Sequence, residues 1–407
     1  MNNKKLWYYG TRISQVFAKH SPSNEHKTIQ FFPAFDNLNM LEDQYYRSLW
    51  YLPFVNNVKV IMMNILGQDD PSNLSCPNYL RKSNKKTFPI EFSKGNVEIE
   101  DLKKTDIILV WKASVLKTIP FRYWHQIRIV DPNYYLFSET HTYPGILFHD
   151  IYTDDDRLEQ RNQSLKRYLN MKSIFSDKYK AYVFGTGPSI EDIDKYSFEE
   201  NSIRIICNSI VKNKNALRYI KPSILVFTDS VFHFGASRYV EIFLEDVVSA
   251  VMEYDIYCVT NEVGGALLTH KVPEISERII TIPAKRFGKP NLLSEKCFYT
   301  RDYENVLTRY MLPLAAGLCS EVTLIGFDGR NPDETYFWKH NANYQYLDQM
   351  NSVKEAHPAF FRDVEYDEYY VKHCKNLELL CNTIEKDGKT IRVMGNSFIP
   401  SFASRLG

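Results

Sequence analysis

The sequence predicts an α/β chain made of two Rossmann-like, doubly wound domains. Three observations predict it. Short apolar, β-branched runs alternate with stretches of helical periodicity from residue 28 to residue 393. The glycines are few, 16 in 407 residues or about 4 per cent against a typical ~7 per cent, and in the second half Gly185, Gly187, Gly326, Gly329 and Gly395 fall where apolar runs end. A chain of this length with 44% hydrophobic residues can bury more than one core, so the expected division is an N-terminal domain over 1–175 and a C-terminal domain over 176–407.

In the first block the expected strands are Thr28–Phe32, Val58–Met63, Asp106–Trp111 and Gln126–Val130, with a helix near Met40–Leu52. Residues 69–86, rich in Asp, Pro, Ser, Asn and Lys, read as a loop, and Thr153–Asp177 as a connecting helix carrying Leu158, Leu165, Leu169 and Phe175. The second block is clearer. Its strands are Ala181–Phe184, Ile203–Cys207, Ile224–Phe227, Asp255–Val259, Ile279–Ile282, Val322–Ile325 and Thr390–Val393. Strands separated by helices form mostly parallel sheets, whose ligands sit at the carboxyl ends of the strands.

Composition excludes several classes. With 50 Lys+Arg against 49 Asp+Glu the net charge is +1, which argues against nucleic acid as a partner. The N-terminus lacks the apolar core of a signal peptide, and Met311–Phe327 is too short and too polar to span a bilayer, so a cytoplasmic protein is expected, with the inner face of the membrane as a further place for it. Seven scattered cysteines without a C-x-x-C pair read as free thiols rather than zinc ligands. No resident cofactor or metal is expected, and nothing in the sequence sets the oligomeric state.

The chemistry-bearing residues gather at strand ends. A strand runs into Gly185-Thr186-Gly187-Pro188-Ser189 and then into helical spacing, a way to bring a phosphate near backbone N–H groups at a helix start. It is neither G-x-G-x-x-G nor a Walker loop, so an ordinary dinucleotide or ATP site is not expected. The plain alternative is a strand-to-helix turn that needs glycine. Asn208-Ser209, Thr228-Asp229, Thr260-Asn261, Gly326-Phe327-Asp328-Gly329-Arg330 and Gly395-Asn396-Ser397 end further strands. Five such endings on one edge describe a ligand crevice.

This order of motifs resembles the bacterial sialyltransferases of glycosyltransferase family 42: Gly-x-Gly-Pro-Ser, Cys-Asn, an apolar helix into Gly-x-Asp, a Tyr eight residues on, and a late Asn-Ser. The likeness covers roughly residues 180–402. It implies an inverting transfer of an acidic sugar from a CMP donor to a glycan hydroxyl, without an obligatory metal. By the same resemblance Gly185, Thr186, Gly187, Pro188 and Ser189 form the phosphate and ribose loop, Asn208 and Ser209 follow it, Asp328 is the Gly-x-Asp carboxylate, Tyr336 lies on the departing phosphate, and Asn396 and Ser397 are near the nucleotide. The two domains would then face a cleft in a GT-B-like arrangement, the first on the acceptor side and the second on the donor side. Aromatic residues of the first block, among them Trp7, Trp50, Trp111 and Trp124, could meet sugar rings, with core packing as the commoner use.

The sequence also departs from the pattern. Thr186 stands where the family has Asn, Arg330 where it has a second Tyr, and no Thr-Ser-Gly precedes the apolar helix near Asn305–Leu307. A donor such as the related keto-deoxy-octulosonate (Kdo) therefore stands beside sialic acid, for a surface polysaccharide such as capsule or lipopolysaccharide. Arg330 would strengthen a phosphate site through its bidentate guanidinium.

An acceptor hydroxyl must lose its proton, and His357, on a loop before Pro358, is the first candidate base. Asp229 and His233 are the others, while His340 and His373 read as surface and structural. Gly264-Gly265 reads as a turn near the ligand, Lys285-Arg286 with Lys289 as a basic surface cluster, and Asp154-Asp155-Asp156 as the acidic start of a helix. Two competing functions remain: a nucleotide-dependent diphosphokinase-type phosphotransferase with Asp229 and Asp328 on a metal, and a nucleotide-sugar-binding protein without catalysis.

Overall fold

The computed structural model describes residues 10, 26–52, 55–67, 69–72, 74–81, 89–330 and 342–406. Fourteen strands lie among them, numbered here in chain order: β1 Lys27–Phe32, β2 Val58–Ile65, β3 Ile90–Lys94, β4 Ile107–Val110, β5 Ile127–Ile129, β6 Lys180–Phe184, β7 Ile203–Cys207, β8 Ile224–Val226, β9 Tyr257–Thr260, β10 Ile279–Thr281, β11 Ala284–Lys285, β12 Thr300–Arg301, β13 Glu321–Ile325 and β14 Thr390–Val393.

Two sheets dominate, and every pairing in them is parallel. The first has the order β3-β2-β1-β4-β5 and the second β10-β9-β8-β7-β6-β13-β14. The α/β, doubly wound class expected from the sequence is the one observed. The chain divides into two compact units, Met1–Leu158 with Ser230–Glu241 and Gln349–Val364, and Glu159–Asp229 with Ile242–Asp348 and Glu365–Gly407. A single cut after residue 175 does not describe this division. The first unit takes two later segments, and two of the cut points fall inside the helices Asp154–Ile174 and Arg238–Tyr254.

The central strands form where continuous apolar runs can be buried on both faces, as parallel sheets require. Ile107–Val110 is buried at every position, and Ile108 and Val110 pack with Phe32, Leu102, Leu116, Ile119, Tyr123 and Ile127. Edge strand β3, IEFSK, alternates without an apolar run and leaves three of its five residues exposed, which is why periodicity does not reveal it. The tryptophans serve the core: the Trp50 indole N–H donates to Phe234 O at 2.8 Å, Trp111 to Pro33 O at 2.7 Å, and Trp124 to Ile119 O at 3.1 Å. Trp7 lies outside the described residues.

Local signals explain the helix starts. Thr153 and Asp156 form a reciprocal capping box, with the Thr153 N–H on Asp156 Oδ2 at 2.8 Å and the Asp156 N–H on Thr153 Oγ1 at 3.1 Å. The acidic run thus begins the helix Asp154–Ile174, as its charge suggested. Gly264-Gly265 is a correction: Asn261 accepts the Gly264 N–H at 2.6 Å, and both glycines lie inside the helix Glu262–Lys271 rather than in a turn. Gly265 is small because that helix lies against β10, where a Cβ on it would come within 2.0 Å of Thr281 Cγ2. All seven cysteines are free, and burial pushes the thiols of Cys207, Cys258, Cys319 and Cys381 up to about 12. Among the described residues, no helix is long and apolar enough to cross a membrane.

Gly265→Ala should lower stability by about 1–3 kcal/mol through overpacking. In a Thr281→Ser background, which removes the clashing methyl and keeps the hydroxyl bonded to Ser164 at 2.7 Å, the same substitution should cost distinctly less. Equal losses in both backgrounds, read by urea denaturation, would contradict the contact.

Candidate functional site

In the second unit the strand order reverses between β6 and β13, and the chain segments leaving these two strands cross at close range. The Gly185 N–H donates to Ile325 O at 2.8 Å and the Gly187 N–H to Gly326 O at 2.9 Å. A Cβ on Gly185 would stand 2.4 Å from Gly326 O, and one on Gly187 2.2 Å from Asp328 Oδ2. Gly326 itself has φ +75° and would bring a Cβ within 2.6 Å of Gly185 O. Three of the site's glycines are therefore required by backbone crossing backbone.

Asp328 closes this crossing. Its carboxylate accepts the Ser189 N–H at 3.1 and 3.2 Å and the Ser189 hydroxyl at 2.9 Å. Burial pushes the Asp328 carboxyl up, the Ser189 hydrogen bonds act against it, and the net direction is upward. Pro188 opens a 3-10 helix, Pro188–Lys195, as its fixed φ allows. The N–H groups expected to be open to a phosphate are in fact taken: that of Gly187 by Gly326 O and that of Ser189 by Asp328. Ser397 is likewise engaged, its hydroxyl donating to Phe327 O at 2.7 Å, while Asn396 is exposed. Arg330 has partners too. Its guanidinium is paired with Asp367, and its N–H donates to the Tyr370 hydroxyl at 3.2 Å. Thr186 is buried in the loop, and Tyr336, with His340, lies outside the described residues.

Along the same carboxyl edge several buried polar atoms have no hydrogen-bond partner among the described residues. Asn208 directly follows β7, the neighbour of β6, in the left-handed region at φ +51°, and its Oδ1 is one of them. Asn is among the few side chains that tolerate that backbone. Ser209 Oγ is a second, on a residue 1% exposed, and Thr260 Oγ1 at the end of β9 a third, on a residue 0% exposed. Asn208 and Ser209 are in the predicted set. Thr260 enters the sequence reading only within the strand ending Thr260-Asn261, without a role of its own, because a threonine ending a strand carries no signal that singles it out. Asp229 follows β8, where its charge, after burial, raises the hydroxyls of Tyr366 and Tyr369.

The first unit holds the two candidate histidines. His357 lies between the helices Met350–Ala356 and Pro358–Asp363, 3% exposed, rather than on an open loop. Its Nδ1 is 2.9 Å from Glu139 Oε2, and its Nε2 is buried with no partner among the described residues. Glu139 Oε1 is 3.0 Å from Arg47 Nη1, and Arg47 also donates from Nε to Asp43 at 2.9 Å and from Nη2 to Ala356 O at 2.8 Å. Burial works against the Glu139 charge, but Arg47 and His357 outweigh it and hold the carboxyl below its ordinary value. His233 is different. Burial depresses its pKa to about 3, so the imidazole stays neutral and is a weak proton acceptor. His373, 6% exposed on the helix Tyr366–Lys386, is depressed to about 4 for the same reason and keeps the structural role expected of it.

These two histidines bind protons more readily unfolded than folded. Their contribution is complete above about pH 6.5 and is lost as the pH falls toward 4, at about 1.4 kcal/mol per pH unit for each group. Thermal melts should fall steadily from pH 6.5 to 5, where unfolded carboxylates have yet to titrate. A flat melting temperature over that interval would contradict the burial of both rings.

No protein-family profile matches the chain, and no curated protein matches it. Among solved structures it is similar to the sialyltransferase CstII from Campylobacter jejuni in complex with the substrate analogue cytidine-5'-monophosphate, at 16% identity over 56% of this chain and 84% of that one, with a TM-score of 0.32. It is also similar to the monofunctional alpha-2,3-sialyltransferase Cst-I from Campylobacter jejuni, at 15% identity over 53% of this chain and 76% of that one, with a TM-score of 0.30.

Proposed function

We propose that the chain is an inverting glycosyltransferase that moves an acidic keto-sugar, of the sialic acid or Kdo type, from a CMP-activated donor to a glycan hydroxyl in surface polysaccharide synthesis. One observation carries the reading: Gly185–Ser189, Asn208-Ser209, Asp328 and Asn396-Ser397, the segments that resemble the family 42 motifs, all leave one carboxyl edge, around the point where strand order reverses. That is where open α/β sheets bind ligands. The buried polar atoms of Asn208 and Ser209 there favour a polar ligand, since each costs about 1–3 kcal/mol while unpaired.

In the transfer, the acceptor oxygen bonds to the anomeric carbon while the bond from that carbon to the phosphate oxygen breaks, its electron pair leaving with CMP. The acceptor proton goes to His357 Nε2, the buried ring nitrogen with no partner among the described residues. His233, neutral with a depressed pKa, gives way to His357 in this role. Asp328 acts through the loop, holding Ser189 in place. A phosphotransferase would need the same carboxylate on a metal, and Ser189 occupies both of its oxygens.

Thermal-shift titration with CMP, CDP, UDP, GDP and ATP, with and without Mg²⁺, tests the donor class. CMP should stabilise the protein in EDTA, by about 2.7 kcal/mol at a hundredfold excess over Kd. A preference for ATP with Mg²⁺ would overturn the reading. His357→Ala should keep the CMP shift and lose transfer from CMP-sialic acid or CMP-Kdo by roughly 100-fold or more. Unchanged transfer would remove His357 from the base role.

A further inference from the structure

The base needs more than a ring nitrogen, because a neutral imidazole accepts a proton at Nε2 only in the tautomer that carries its proton on Nδ1. We infer that Glu139 and Arg47 are positioning residues for His357, a buried relay that fixes the ring in that tautomer and steadies the imidazolium formed when it takes a proton. The inference rests on the base role proposed above for His357.

Four features of the first unit converge on it. Glu139 Oε2 is 2.9 Å from His357 Nδ1, and a carboxylate can only accept there, so the proton must be on Nδ1. Arg47 faces the other carboxylate oxygen at 3.0 Å and donates to the carbonyl of Ala356, the residue before His357, so one guanidinium holds both the carboxylate and the backbone that carries the ring. Around them the Tyr51 hydroxyl accepts the Ala236 N–H at 3.0 Å and donates to Glu139, and Asp43 balances Arg47 from the preceding helical turn. Finally, the Gly235 backbone packs directly on the ring: a Cβ there would stand 2.5 Å from Nε2, so only glycine lets the imidazole take this place.

A salt bridge this buried does not need a functional explanation to exist, but as a source of stability it is no better than an apolar cluster of the same volume. What an apolar cluster cannot do is choose a tautomer. On proton uptake His357 becomes an imidazolium beside the Glu139 carboxylate, and the proton is afterwards returned from Nε2 to a water, which must enter the site because that nitrogen is buried. Atoms and charge balance without a co-reactant.

The deciding experiment combines ¹⁵N-histidine NMR of the whole protein at its working pH with steady-state transfer by Glu139→Gln and Glu139→Asp. Wild-type His357 should show a protonated Nδ1 and a bare Nε2. Glu139→Gln, checked for folding by its melting curve and CMP shift, should lower kcat by roughly 100-fold with the donor KM within about twofold, and Glu139→Asp should recover part of the loss. An Nε2–H tautomer or a resting imidazolium in the wild type overturns the inference, as does a folded Glu139→Gln protein that keeps more than about half of kcat. If the wild type transfers no CMP-activated sugar, the proposed function fails, and the tautomer alone then decides for or against the relay.

Discussion

The second unit depends on one crossing, where the chain leaving β6 passes the chain leaving β13 with no side chain between them. Gly185 and Gly326 each place a backbone carbonyl where the other's Cβ would be, at 2.4 and 2.6 Å. Parallel strands on either side of a reversal in strand order splay their connections to opposite sides, which opens a crevice. Here the two connections are hydrogen-bonded to each other as they leave the sheet, and the Asp328 carboxylate ties Ser189 across the gap. Substituting any of these glycines would push the loops apart and move Ser189 and the start of its 3-10 helix with them. Loop shape comes from the glycines, and loop position comes from the carboxylate.

This crossing changes how the edge can hold a ligand. A helix start usually offers unpaired N–H groups to an anion. When a carboxylate of the same protein already occupies them, as Asp328 does, an added phosphate would meet like charge instead of open donors. Recognition is then left to side chains on the neighbouring strand ends, and the polar atoms of Asn208, Ser209 and Thr260 lie there. An Asn in the left-handed region directly after a strand is a local strain that the surrounding fold must hold in place.

How much of this was legible depends on the range of each signal. Strands such as Ile203–Cys207 and Thr390–Val393 were readable residue for residue because short runs dominated by β-branched residues leave little alternative. Gly185, Gly187 and Asp328 were legible as types at strand ends, but that Asp328 would occupy the Ser189 N–H was not, since the two residues are 139 apart in the chain. Gly264-Gly265 misled because glycine marks turns by default, whereas here it serves a close helix-to-strand contact, which only the neighbour Thr281 reveals. Glu139 and Arg47 gave no signal at all. Each looks like an ordinary charged residue on a helix until burial to 2% and 1% exposure shows that water does not solvate it.

The same reasoning explains why the first unit cannot be cut at the position the composition suggests. Arg47 is hydrogen-bonded to Asp43 and ion-paired with Glu139, which are local to the first 158 residues, but it also donates to the carbonyl of Ala356, 309 residues away. The Trp50 indole N–H finds its acceptor at Phe234, and the Tyr51 hydroxyl is met by the Ala236 N–H. Without the two later segments, a guanidinium, an indole and a carboxylate in one cluster would each lose a partner. A buried group that loses its partner costs more than the contact contributed, several kcal/mol for a charge. The unit is therefore stitched by its polar groups as well as by its apolar ones. A hydrophobic pattern can be read along a chain, but the partner of a buried charge can be read only after the chain has folded.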